Sequence, residues 1–173
     1  MKWIWIDNKQ DETNPQFVEF LAAFDVTSNA KTKLKISADY RYVAYLNGAF
    51  VGNGQYADLP EHKSVDKFDI SHLVQNGKNT LTVVAWHMGQ DFSVCRTMPA
   101  AVAFEVTSNG KKVASSSGKT PCRIAPYYAN GDLVTPQIGQ GYNLDFTAKL
   151  PTFGNAVVVN TGFVAEPRPV PNL

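Results

Sequence analysis

The side chains best suited to chemistry fall in two stretches of the 173-residue chain. Tyr56 and His62 lie in the polar segment 55–64, and Trp86, His87, Gln90, Asp91 and Phe92 crowd the point where an apolar run gives way to the irregular residues 89–99. Rings and amides of this kind suit carbohydrate. The C–H faces of a sugar stack on aromatic side chains, while loop amides and carboxylates take its hydroxyls. Trp86, inside an apolar run, reads more readily as core than as a sugar platform. Catalysis has less support. Cys95 with His87, or Ser93 with His87 and Asp91, spells out a nucleophile and a base, but a loop of this kind dictates no hydrogen-bonded geometry between them. Glycoside hydrolysis needs two carboxylates about 5 to 10 Å apart, and none of the 15 acidic residues is singled out by spacing. His62, His72 and His87 lack close metal-ligand spacing. A calcium site using Asp58, Glu61 or Asp91 oxygens stays open but has no motif to support it, and no other cofactor is expected.

These residues must be held by strands. Val18, Phe20, Ala22, Phe24 and Val26 are apolar at every second position, and Leu34, Ile36 and Ala38 alternate with Lys33, Lys35 and Ser37. A period of two places one buried and one wet face on each segment, which points to antiparallel pairing. Two β-rich runs between residues 40 and 51 flank Asn47-Gly48, a dipeptide that tolerates the positive φ angles of a type I′ turn. Gly52, Gly54 and Pro60 read as breaks, with 55–64 as a surface loop. Asp69 or Ser71 caps a short turn through His72 and Leu73, and residues 75–79 reverse the chain. Residues 80–88 read as a central strand, residues 101–106 and 111–115 as a hairpin around Asn109-Gly110, and residues 115–141 as loop with short strand pieces. Residues 156–159 add a last strand. The prolines of 166–173 lack donors, so this tail is expected to form no ladder. About nine strands without an amphipathic helix give an all-β, antiparallel β-sandwich spanning residues 1–165, followed by a Pro-rich linker over 166–173.

Composition narrows the partners. With 16 basic and 15 acidic residues spread along the chain, no strong field steers the protein to nucleic acid or to an anionic membrane. Cys95 and Cys122 match no zinc or redox spacing and read as free thiols, unless the fold brings them together as a pair. The first residues carry no signal-peptide pattern and no apolar run is long enough to cross a bilayer. The expectation is a soluble chain whose compartment is unknown, cytoplasmic if the start is native.

Residues 35–54, KISADYRYVAYLNGAFVGNG, resemble the N-terminal β-sandwich modules of bacterial α-L-rhamnosidases, in which a strand ending in ISAD is followed by LNG and a spaced pair of glycines. Lys2-Trp-Ile-Trp at the start, Phe68-Asp-Ile-Ser with Asn76-Gly-Lys-Asn, and Glu166-Pro-Arg-Pro at the end agree in order, so the resemblance runs along nearly the whole chain. The hairpin motif alone is also similar to galactose-binding-like jelly rolls attached to β-galactosidases. The resemblance implies a galactose-binding-like jelly roll that is inactive by itself, since in the rhamnosidases the catalytic acids sit in a separate α-helical barrel. It also implies downstream domains of the same polypeptide as partners, reached through the Pro-Arg-Pro segment, and a rhamnose- or galactose-containing glycan as ligand. Read from its sequence, the chain is thus an accessory module of a glycoside hydrolase, with a stand-alone lectin-like domain as the alternative.

Overall fold

A computed structural model describes residues 1–7, 15–27, 29–55, 59–93 and 95–170. The strands are β1 (Ile4–Trp5), β2 (Gln16–Val26), β3 (Thr32–Ala38), β4 (Arg41–Leu46), β5 (Ala49–Gly54), β6 (His62–Asp69), β7 (Gly77–His87) and β8 (Val102–Ser108). They continue with β9 (Lys111–Ser115), β10 (Pro121–Ile124), β11 (Tyr128–Thr135), β12 (Gly139–Leu144), β13 (Gly154–Asn155), β14 (Val157–Val158) and β15 (Val164–Pro167). No helix occurs among the described residues.

Two sheets face each other. One runs β14-β1-β8-β3-β6-β15, with β9 also on β8; the other runs β13-β10-β2-β7-β4-β5. Strand periodicity decides what lies between them. The inner phase of β2 (Val18, Phe20, Phe24), of β7 (Leu81, Val83, Ala85) and of β4 (Ala44, Leu46) meets Leu34 and Ile36 of β3 and Phe104 and Val106 of β8 in one core. Each of the Val, Leu, Ile and Phe side chains contributes roughly 1.5–3 kcal/mol by leaving water, the alanines less. β11 and β12 form a separate two-stranded hairpin beside the outer face of the second sheet.

Most of the sequence-derived strands are present. Asn47 and Gly48 have φ of 52° and 82°, and Asn109 and Gly110 have 48° and 78°, so both Asn-Gly hairpins turn as their dipeptides require. β7 lies centrally, between β2 and β4. Asp69 accepts hydrogen bonds from the Ser71 amide and hydroxyl at 3.0 and 2.6 Å, closing the turn before His72.

Four expectations are corrected. Gly52 and Gly54 do not break the chain: they lie in β5, where a Cβ on Gly52 would run into the Phe68 ring and one on Gly54 into Tyr42 and Asp66. The surface loop after Gly54 ends sooner than residue 64, because β6 begins at His62 and Lys63 and Ser64 are buried. Ser37 is not on a wet face; it is buried and donates to the Ser64 carbonyl at 2.9 Å. The tail does make a ladder. Val164 to Pro167 pair in parallel with His62 to Val65, which a proline tolerates at a sheet edge.

Candidate functional site

Trp86 and His87 are sequence neighbours near the end of β7, so the pleat sends their side chains to opposite faces. His87 points into the sandwich. It is 2% exposed, hydrogen-bonds through Nδ1 to Asp39 Oδ2 at 2.6 Å, and meets the Trp5 ring at a centroid distance of 6.1 Å. Asp39 also takes the Ala101 amide on Oδ1 at 3.2 Å, and its backbone carbonyl accepts from Lys63 Nζ at 2.9 Å. His87 Nε2 finds no hydrogen-bond partner among the described residues. This is a closed interior cluster of two sheets' side chains and no ligand surface.

The outer face is different. Trp86 stacks on Phe17 at 4.8 Å and 18°, Phe17 stacks on Tyr128 at 4.8 Å and 10°, and Tyr40 meets Trp86 edge-on at 5.3 Å. From the β12 side Tyr142 sets its edge against Phe17, Trp86 and Tyr128 at 5.2 to 5.8 Å. Each pair contributes about 0.5–1.5 kcal/mol beyond area burial. Around this cluster opens a cleft of about 490 Å³, lined also by Arg41, Tyr45, Phe50 and Asn53. Phe50 is 58% and Tyr142 49% exposed, so the cleft presents aromatic surface to solvent. Burial, reinforced by Tyr45 and Tyr142, raises the pKa of the Tyr128 phenol, which therefore stays a neutral donor.

The sequence candidates do not converge. Of the candidates among the described residues, Trp86 alone lines the cleft, as its buried floor. Phe92 packs beside the same aromatic cluster, against the backbone of Gly139. Asp91 is an exposed loop residue that accepts from the Thr97 amide at 2.7 Å and pairs with Arg96 at 3.3 Å; the Thr97 hydrogen bond lowers its pKa. Gln90 beside it is exposed. His62 pairs with Glu166 at 2.8 Å on the far sheet, where β15 meets β6. Tyr56 and Asp58 lie outside the described residues. A Cys95–His87 nucleophile is not assembled, since His87 is taken by Asp39 and burial pushes the Cys95 thiol up to about 11. Cys122, buried in the inner core, is likewise free. No cluster of three or more metal-ligating side chains occurs among the described residues.

Sequence reasoning missed Phe17, Arg41, Tyr45, Phe50, Tyr128 and Tyr142. Phe17 and Tyr45 were accessible in principle, because they occupy the phase opposite to the core residues of β2 and β4, where an unpartnered strand face would carry polar groups; Arg41 is such a polar group and gives no signal. The Tyr128 and Tyr142 positions depend on a Gly-rich hairpin with register shifts, which no periodicity announces.

Comparison with known proteins follows the same lines. Residues 5–91, half of the chain, match the family model described as the β-galactosidase second all-beta domain. No curated protein sequence matches. Among solved structures, the GH78 family rhamnosidase of Bacillus sp. GL1 superimposes with a TM-score of 0.82 at 21% identity, covering 98% of this chain and 20% of that one. The α-L-rhamnosidase of Dictyoglumus thermophilum gives a TM-score of 0.67 at 14% identity, over 96% and 22% of the two chains. A lectin from Pleurotus ostreatus, solved in complex with GalNAc, gives 0.54 at 20% identity, over 92% and 42%. At these identities the likeness is one of fold, and the chain spans about a fifth of the length of the rhamnosidases.

Proposed function

Since the chain belongs to the family of β-galactosidase second all-β domains, we propose that it serves as a non-catalytic accessory module of a larger glycoside hydrolase of the α-L-rhamnosidase type and holds glycan in its aromatic cleft. The observation that carries this reading is the cleft itself. Its lining joins solvent-facing rings with the Asn53 amide, tyrosine hydroxyls and a guanidinium, and includes no carboxylate among the described residues. Such a set can seat a sugar but offers no acid pair for hydrolysis. The accessory role draws support from rhamnosidase chains in which this fold is about a fifth of the length. It also fits the exposed apolar side chains Leu133, Val134, Ile138, Leu144 and Phe146 on and just after the β11–β12 hairpin, which suit packing against further domains of the same polypeptide.

Titration of the 173-residue protein with L-rhamnose, galactose and plant-derived oligosaccharides, followed by tryptophan fluorescence, tests the binding half. Saturable quenching or enhancement is expected, because Trp86 floors the cleft. No saturable change across that panel would remove the sugar-binding role. Turnover of an aryl rhamnoside by the same protein would overturn the non-catalytic reading. The lectin reading, favoured by the Pleurotus ostreatus likeness, separates by a size measurement in native extracts: an accessory module runs within a longer polypeptide, a lectin at the mass of this chain.

A further inference from the structure

Among the described residues the cleft lining carries one charge, that of Arg41. Arg41 stands directly across from Trp86 in the β4–β7 register, so the two side chains share the outer face. Its guanidinium lies 5.1 Å from the centroid of the Tyr40 ring, and Tyr40 in turn packs edge-on against Trp86. The arginine is therefore held beside the aromatic floor by a cation–π contact. No carboxylate pairs with it among the described residues, and it is the single ionised side chain of the described cleft lining. The amide nearest in sequence type to a competing ligand group, Gln55, is already engaged: its Oε1 accepts from the Ala38 amide at 3.1 Å and its Nε2 donates to the Ser64 carbonyl at 2.7 Å.

An exposed, solvated lysine or arginine on a convex surface would say nothing about a ligand. Arg41, itself exposed, differs in lining a concave aromatic site, held against the Tyr40 ring, with no acid among the described residues to neutralise it. A planar guanidinium recognises a carboxylate by two parallel hydrogen bonds, which adds orientation to charge attraction. A neutral pyranose can use those donors singly; a pyranose bearing a C6 carboxylate can use them as a pair while its C–H face rests on Phe50 or Tyr142. We propose that the cleft selects a uronic acid residue within a glycan, with its carboxylate on Arg41. This rests on the sugar-binding reading above and adds the chemical class of the sugar.

The test is calorimetric titration of the intact protein with digalacturonate and with the uncharged galactobiose, in low and in moderate salt. The acidic disaccharide is expected to bind at least about tenfold more tightly, with an advantage that shrinks as salt screens the pair. Arg41→Gln should abolish the preference, and Arg41→Lys should keep part of it, retaining charge without the fork. Lys111→Gln, which removes an exposed cation of β9 on the other sheet, should keep the preference whole. Near-ultraviolet circular dichroism of each variant checks that the aromatic cluster is intact. Equal affinity for the two disaccharides, or a preference that survives Arg41→Gln, overturns the uronate assignment and leaves the sugar-binding reading standing. Saturable binding of neither disaccharide, nor of the neutral panel above, overturns both.

Discussion

Residues 86 and 87 sit next to each other and live in different solvents. His87 belongs to a closed interior where Asp39, Lys63 and Trp5 surround it; Trp86 belongs to the floor of an open cleft whose walls are rings. The interior group is fixed by partners far away in sequence, and its disruption would strand a buried polar atom. The outer group is fixed by stacking and is tolerant of change at its rim. A polar residue in a β-strand thus declares a binding role only when its phase faces outward, and here the histidine's phase faces inward.

That contrast can be broken by mutation. The largest effect is expected from Asp39→Ala, which leaves His87 without its partner and the Ala101 amide without Oδ1: about 3–5 kcal/mol of stability lost, read from urea unfolding, with sugar affinity unchanged in the folded fraction. A loss below 1 kcal/mol would show that the interior pair is dispensable. Next comes alkaline pH. Burial pushes the Cys122 thiol up from 9.0 to about 11, so the folded state favours the neutral form. Its contribution is complete below the unfolded thiol's pKa and is lost as pH rises through 9 toward 11, on the order of 1–3 kcal/mol. Cys122→Ala should flatten that part of the stability–pH curve; an unchanged slope would assign it to Cys95, whose thiol burial raises equally, or to the buried tyrosines.

Phe50→Ala inverts the first outcome. The ring is largely exposed and, among the described residues, its one aromatic contact is Tyr45 at 6.0 Å, so stability should fall by about 1 kcal/mol or less. Affinity for the sugar should drop about tenfold, as for a ring that carries a stacking contact; undiminished affinity would move the sugar off this wall. The smallest effect belongs to Asp91→Asn. It weakens the carboxylate's hold on the Thr97 amide, which faster amide exchange at Thr97 would report, while the unfolding midpoint stays put. Loss of sugar binding in this variant would return the loop to the site.

The fold was legible because its cues are local. Alternation in residues 18–26 and 34–38 marks two strands, and Asn47-Gly48 and Asn109-Gly110 mark two turns through φ angles that few other pairs adopt. The glycines of β5 misled for a reason visible only in three dimensions: Gly52 and Gly54 are small because Phe68, Asp66 and Tyr42 press on them, and a close approach looks the same in sequence as a break. The candidate site was legible at one residue. Trp86 near the end of β7 floors the cleft, but the alternating pleat divides it from His87, and the remaining walls come from β2, β4, β5 and a hairpin whose registers are set by tertiary contacts. Arg168 shows the same limit: its Nη1 donates to the buried Asp66 at 2.6 Å, a partner 102 residues away, and Tyr42 donates to the other oxygen of that carboxylate.

The strand Val164–Pro167 has a bearing on solubility. Without it, β6 would present a row of unsatisfied amides and carbonyls at the rim of its sheet, an invitation to pair with another copy. With it, the outermost strand ends in Pro167 and is followed by Pro169, whose rings cannot donate, and Arg168 ties that rim to Asp66. The proline-rich exit is therefore a guard rail against edge-to-edge growth, and a chain ending at residue 163 should sediment as larger species than one that retains it.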